Sequence, residues 1–303
     1  MKQEYIKFRN DIIMGIHEFF QNREFIFTDT KRLVDFPGTE PNISLYLSDN
    51  KYLIPSPEIE IKKIISSLKI KKCYDIGHVF RKDEKTLQHS DEFTMLEWYR
   101  TNETLDDIKK DITFLLSNLI NKLNLNITLP PPPWKSISLF SIFKEKLNID
   151  ITSHQSMAKG FIEITGRKEH FSIDEIFYLL YMDFIEKELP ANEPFFLNDF
   201  PVYIPSLAKI KEDNINLTDR FEFYFAGLEI ANAYNELTGT DNYKKRFQLM
   251  NKLLVEKGKN KIVIPADFLS EIELFPNTVG IALGIDRLIM ALTGTSKITE
   301  IIY

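Results

Sequence analysis

An α+β fold built on a mostly antiparallel sheet is what this sequence predicts, and three observations carry that expectation. Segments with strand composition lie towards both ends of the chain, segments of helical periodicity lie between them, and nowhere do strands and helices alternate regularly as a parallel βαβ fold requires. With 303 residues, 44% of them apolar, the chain has ample material for one large core.

Taken in order, residues 4–21 (EYIKFRNDIIMGIHEFFQ) place Ile6, Ile12, Ile13, Ile16, Phe19 and Phe20 three and four apart, the spacing of an amphipathic helix. The β-rich EFIFTDT follows. DFPGTEPNISLYL reads as a Pro/Gly turn into a strand, and YLIPSPEIEIKKIISSLK as a strand entering a helix. KKCYDIGHVFR and FTMLEWYR both have strand composition, and the charged loop between them makes the pair a hairpin. A polar helix at about 104–123 leads to LPPPPW, whose four prolines form a stiff spacer because none can sit inside a helix. Residues 135–215 carry amphipathic helix and little independent sheet. The expected organisation is therefore one domain, 1–303, with a helical insertion at about 101–200. Strands return in RFEFYFAGLEIANAYNEL, a helix follows near 242–257, and GIALGIDRLIMALTG should pass from strand into helix.

Composition excludes several functions. The single cysteine, Cys73, rules out an internal disulfide and a cysteine-based zinc site, and its apolar strand context makes it a core residue. A net charge of −6 argues against broad nucleic-acid affinity, and no apolar run approaches the roughly 18 to 20 residues of a membrane span. A cytoplasmic protein without a membrane partner is the expectation.

Four places carry chemistry. In VFRKDEKTLQHSDEF, a hairpin brings Arg81 and Phe93 near one another, and a guanidinium beside an aromatic face suits a nucleotide. GIALGIDR adds Arg287 after Gly280 and Gly284, where glycines allow close approach and a helix start favours an anion. In RFEFYFAGLEIANAYNEL, Glu222, Glu229 and Glu236 fall seven apart, on one face if the segment were helical, although its aromatic start argues for strand. Carboxylates near phosphates are the usual way to hold Mg²⁺. Finally, HSDEFTMLEWYR sets Glu92 and Glu97 in the most aromatic part of the chain, and a buried carboxylate needs a partner.

These segments, in this order, resemble the second signature motif, the amino-acid pocket and the third signature motif of the class II aminoacyl-tRNA synthetases, in the lysine-specific subgroup. PGTEPNISLYL, SPEIEIKKI and the uninterrupted EFTMLEWYR are most similar to the truncated branch that lysylates elongation factor P. The match runs from about residue 8 to the C-terminus and is weakest across 101–200. The resemblance implies ATP and Mg²⁺ as cofactors. It implies that Arg81 holds the α-phosphate, Phe93 stacks on adenine, Arg287 meets the far end of ATP, and Asp83, His89 and Gly284 line the nucleotide. By the same resemblance Glu222 and Glu229 bind the metal, and Ser56, Glu58, Glu97, Tyr99, Glu229, Asn232, Glu236 and Ala282 line the lysine site. Catalysis would rest on Arg81 and Arg287. Ala282 stands where ordinary lysyl-tRNA synthetases have glycine, which favours (R)-β-lysine over lysine.

The chain also departs from the family pattern. Asp83 replaces a glutamate, KTLQ lacks a Gly-Arg pair, Pro55 replaces a threonine, and Lys31 replaces the proline of the first motif, on which the family builds a homodimer. So few residues precede the first helix that no anticodon-binding domain is expected. The acceptor implied is a lysine of elongation factor P, and tRNA is not the expected acceptor. Two other readings stay open: a stand-alone synthetase-like core acting on tRNA or a small molecule, and a non-catalytic regulatory paralogue, motivated by the altered loop at 82–88.

Overall fold

A computed structural model describes residues 3–302. It opens with α1 (Gln3–Gln21) and β1 (Ile26–Phe27), followed by β2 (Leu33–Val34), β3 (Leu47–Ser48) and β4 (Lys51–Leu53), which form a small antiparallel sheet in the order β2-β4-β3. Next come α2 (Glu58–Leu68), the hairpin β5 (Lys72–Phe80) and β6 (Glu92–Thr101), and α3 (Leu105–Lys122). The middle of the chain is β7 (Lys135–Ser138), α4 (Leu139–Leu147), α5 (His154–Thr165), α6 (Ile173–Leu180) and β8 (Phe195–Asn198). β9 (Arg220–Phe225), β10 (Leu228–Asn235), α7 (Thr240–Glu256), α8 (Ala266–Ile272), β11 (Thr278–Gly284) and α9 (Ile285–Thr293) complete it.

Eight strands make the main sheet, in the order β1-β5-β6-β11-β10-β9-β8-β7. The two outermost pairs, β1/β5 and β7/β8, are parallel, and every other pair is antiparallel. The expected α+β architecture is therefore the observed one. Two segments are less regular than their composition suggests: EFIFTDT contributes only Ile26–Phe27, and in DFPGTEPNISLYL only Leu47 joins a strand. Gly38, at φ +92°, and the prolines around it keep the rest as loop. β7 and β8, which flank α4, α5 and α6, extend the main sheet from within the segment expected to be a helical insertion. Among the described residues no helix is long and apolar enough to cross a membrane.

Strand periodicity sorts side chains between two layers. From β6, Leu96 and Trp98 enter a core shared with α1, α3 and α9, whose members include Ile16, Phe20, Ile112, Leu116 and Ile289. Their neighbours Met95, Glu97 and Tyr99 point to the opposite face, where Tyr99 and Cys73 pack with α2, α7 and α8. Helices α4, α5 and α6 close a third cluster around Phe143, Phe177 and Leu197. Asp107 accepts from the backbone N–H and hydroxyl of Thr104 at 3.1 and 2.8 Å and so fixes the start of α3.

Candidate active site

The sheet face opposite α1, α3 and α9 carries the site. Asp75, Glu97, Ala282, Asn232 and Glu222 are successive partners across five strands, and Tyr99, Gly280, Tyr234 and Arg220 form the neighbouring row. The acid in the aromatic strand is thus one member of a polar row whose sequence neighbours are core. Glu229 reaches this face through a local irregularity. It lies an odd number of residues from Asn232 and Glu236, so an unbroken strand would turn it into the core. A bulge between Glu229 and Ala231 leaves Ile230 unpaired and re-aims Glu229. The sevenfold spacing of the three glutamates is a strand feature corrected by one bulge, and not a helix face.

Two cavities share this surface. The first, of about 530 Å³, is lined by Arg81, Asp83, His89, Phe93, Glu229, Gly284 and Arg287. Arg81 lies just beyond β5, with its guanidinium 5.3 Å from the Phe93 ring centroid and its Nε donating to the Pro55 carbonyl at 3.3 Å. Arg287, in the first turn of α9, donates to the Glu229 carbonyl at 2.9 Å and to His89 Nε2, and lies 3.5 Å from the Glu229 carboxylate. Burial, and then the Arg287 charge, push His89 down to about 4, so the neutral ring accepts from Arg287 and leaves Nδ1 to Thr86 Oγ1 at 2.7 Å. Behind it, Asp286 pairs with Arg9 and accepts from the Thr94 backbone at 2.6 Å, which locks α9 to the strand that presents Phe93. The loop over the cleft is held by Asp91, which takes Tyr46 at 2.8 Å and Lys85 at 3.0 Å.

The second cavity, of about 300 Å³, lies alongside. Arg81, Glu229, Asn232 and Ala282 line both spaces, so the two cavities share a wall. Ser56, Glu58, Glu97, Tyr99 and Glu236 line the second, and so does Glu222, which does not reach the first. Its electrostatics are lopsided. Glu40, Glu58, Glu97, Glu222, Glu229 and Glu236 face it, against Arg81 and Arg220. Lys62, fully buried behind, pairs with Glu58 at 2.5 Å and Glu236 at 2.6 Å. Even so, burial pushes Glu236 up to about 7, and Glu97, which accepts from Tyr99 at 2.9 Å, is raised well above the carboxylate range by burial and then by Glu58. Glu222 rises to about 8 through burial and repulsion from Glu229, although Arg220 at 2.7 Å and Tyr224 at 3.0 Å bond to it. A cavity of this kind is built for positive charge.

Sequence reasoning missed four residues here. Lys62 stands four after Glu58 on α2, an ion-pair spacing that was there to be read. Arg220 sits at the start of an aromatic strand, Glu40 in an irregular loop and Tyr178 in the insertion, where no periodicity marks them. As for a metal, no group of three histidine, cysteine or acidic side chains among the described residues is arranged to hold one. The mutual repulsion of Glu222 and Glu229 still suits a Mg²⁺ that completes its shell with phosphate oxygens and water, which takes only one or two protein carboxylates.

Compared with known proteins, the whole chain, residues 1–303, matches the family model described as tRNA synthetases class II (D, K and N). It is 31% identical to the elongation factor P (R)-beta-lysine ligase of Histophilus somni (strain 2336), over 97% of this chain and 92% of that protein. A protein of the same name from Mannheimia succiniciproducens is 30% identical over the same shares. The lysine–tRNA ligase of Thermoanaerobacter sp. (strain X514) is 30% identical over 100% of this chain, which spans 63% of that enzyme.

Proposed function

We propose, from the premise that this chain belongs to the class II tRNA synthetases of the D, K and N type, that it activates (R)-β-lysine or lysine with ATP and passes it to a lysine side chain of elongation factor P. The observation that carries this reading is the shared wall: a cleft with Arg81, Phe93 and Arg287 adjoins a cavity of six carboxylates, and Arg81 borders both. In the first step the substrate carboxylate attacks the α-phosphorus of ATP and pyrophosphate leaves, forming an acyl-adenylate. In the second, the acceptor amine attacks the acyl carbon and AMP leaves. The carboxylate is its own nucleophile, so the first step needs no general base.

The chain's contribution is placement and charge. Phe93 stacks on the adenine, Arg81 spans the α-phosphate and the attacking carboxylate, and Arg287, oriented by His89 and Glu229, meets the outer phosphates. Asp83 lines the cleft, and Gly284 lets the nucleotide approach the backbone. Glu222 and Glu229 would hold Mg²⁺, which supplies charge neutralisation on the phosphates when bound. Ser56, Glu58, Glu97, Tyr99, Asn232 and Glu236 hold the diamino acid, with Ala282 narrowing the floor. A cytoplasmic location follows from that acceptor. The exposed apolar side chains of Ile26 and Phe27 on β1, the edge strand of the main sheet, favour a homodimer through that edge.

Support for elongation factor P as acceptor comes from the full-length similarity to ligases of that name, and a lysine–tRNA ligase reading is favoured only by the similarity to part of such enzymes. Exchange of labelled pyrophosphate into ATP tests the activation step. The wild type should show exchange that depends on lysine or (R)-β-lysine, and Arg81→Ala should lose it on the order of 100-fold or more. Exchange independent of either amino acid would refute the substrate assignment, and full exchange in the variant would remove Arg81 from the chemistry.

A further inference from the structure

The acidic cavity contains one carboxylate that the reading above leaves without a task. We propose that Glu40 recognises the substrate amino group nearest the carboxyl end, so that the site reads both ammonium groups of a diamino acid; this rests on the activation reading given above.

Glu40 lines the cavity with Glu58, Arg81 and Arg220. Among the described residues its side chain has no hydrogen bond and no ion pair within 4 Å, unlike Glu58 and Glu236, which share Lys62, or Glu222, which takes Arg220 and Tyr224. The loop that presents it is built, with no regular structure to build it. Gly38 adopts φ +92° with Ile59 beneath it, Thr39 donates to Met250 Sδ at 3.3 Å, and Lys259 donates to the carbonyls of Pro41 and Ile43 at 3.0 and 3.1 Å. Holding both sides of one carboxylate so firmly leaves it pre-organised.

Two further atoms in the same cavity point to a ligand. The Arg220 side chain is 5% exposed and its Nε has no partner, and Asn232 Oδ1 is buried with none. An open donor and an open acceptor beside an unpaired carboxylate match the head of an amino acid: carboxylate towards Arg81 and Arg220, ammonium towards Glu40 and Asn232 Oδ1. Charge agrees with this, since burial and then Glu58 push Glu40 up to about 7, and Arg81, Arg220 and Lys62 only partly offset them. The distal ammonium is left for the buried Glu97 and Glu236, the latter beside Gly280.

The test compares Glu40→Gln and Glu40→Asp with the wild type in pyrophosphate exchange, using lysine, (R)-β-lysine and 6-aminohexanoate, which keeps the distal amine and lacks the other. Wild type should prefer the diamino acids, and Glu40→Gln should reduce that preference by about tenfold or more, as expected for loss of a charged hydrogen bond. Its KM for ATP and its use of 6-aminohexanoate should stay as in the wild type, which also shows that the variant is folded. Glu40→Asp, with the charge retained, should keep most of the preference. An unchanged preference in Glu40→Gln overturns the assignment while leaving the activation reading intact, and so does an equal loss for all three substrates. If wild type neither catalyses exchange nor binds any of the three by calorimetry, the activation reading itself falls and the role of Glu40 with it.

Discussion

At the scale of single residues, the site is governed by carboxylates drawn into the fold, Glu97 and Glu236 buried and Glu40 half-buried. Glu40 and Glu236 are both pushed up to about 7, chiefly by burial, so each loses its charge as pH falls through neutrality. Around Glu40 stand Glu58, Lys62, Arg81, Tyr178, Arg220, Tyr234 and Arg246, and around Glu236 stand Glu58, Lys62, Glu97, Tyr99, Lys209, Tyr234 and Tyr243. A raised carboxylate is anionic above its pKa and neutral below it, while the substrate ammonium groups stay charged throughout this range. The KM for lysine should therefore rise as pH is lowered from about 8 to about 6, and far more than the KM for ATP. Parallel pH profiles for both substrates check this, and a flat lysine profile would mean that neither carboxylate meets the substrate.

At the scale of elements, β11 shows how backbone geometry makes the site. Gly280 faces the cavity between Tyr99 and Glu236, and a Cβ there would lie 2.3 Å from Tyr99 Cε1 and 2.5 Å from Glu236 Oε1. Tyr99 is buried and bonded to Glu97, so it has little room to give. Gly280→Ala should destabilise the fold by about 1 to 3 kcal/mol and should impair lysine use while sparing ATP binding. Thermal unfolding and calorimetry with each substrate measure the two effects; equal weakening of both ligands would place the damage beyond this cavity. The same strand shows what was legible. The strand pattern of FTMLEWYR set Glu97 apart from Trp98, and the hairpin placed Arg81 against Phe93, whereas Ala282, the partner of Glu97 on β11, came from the family resemblance alone. Glu229 was read as a site candidate and lines both cavities, but its face depends on a bulge that no pattern in GLEIANAYNEL announces. Glu40 escaped notice because its position is set by Gly38 and by Lys259, more than two hundred residues away, and a contact of that range leaves no local signature.

At the scale of the whole molecule, one sheet face brings residues from both ends of the chain to a single wall between two cavities, and the insertion reaches the same place. Tyr178 of α6 lines the acidic cavity, and Tyr181, which follows α6 in a π-helical turn, bonds at 2.7 Å to the Tyr224 hydroxyl, which in turn donates to Glu222. In the proposed function, all of this serves activation of a cationic amino acid. What the arrangement is for depends on where the acyl group goes. The direct measurement incubates the protein with ATP, Mg²⁺ and labelled (R)-β-lysine, offering purified elongation factor P and total tRNA in separate reactions. Stable label on elongation factor P, at a lysine side chain, with tRNA essentially unlabelled, is the predicted result; label on tRNA with none on elongation factor P would contradict it.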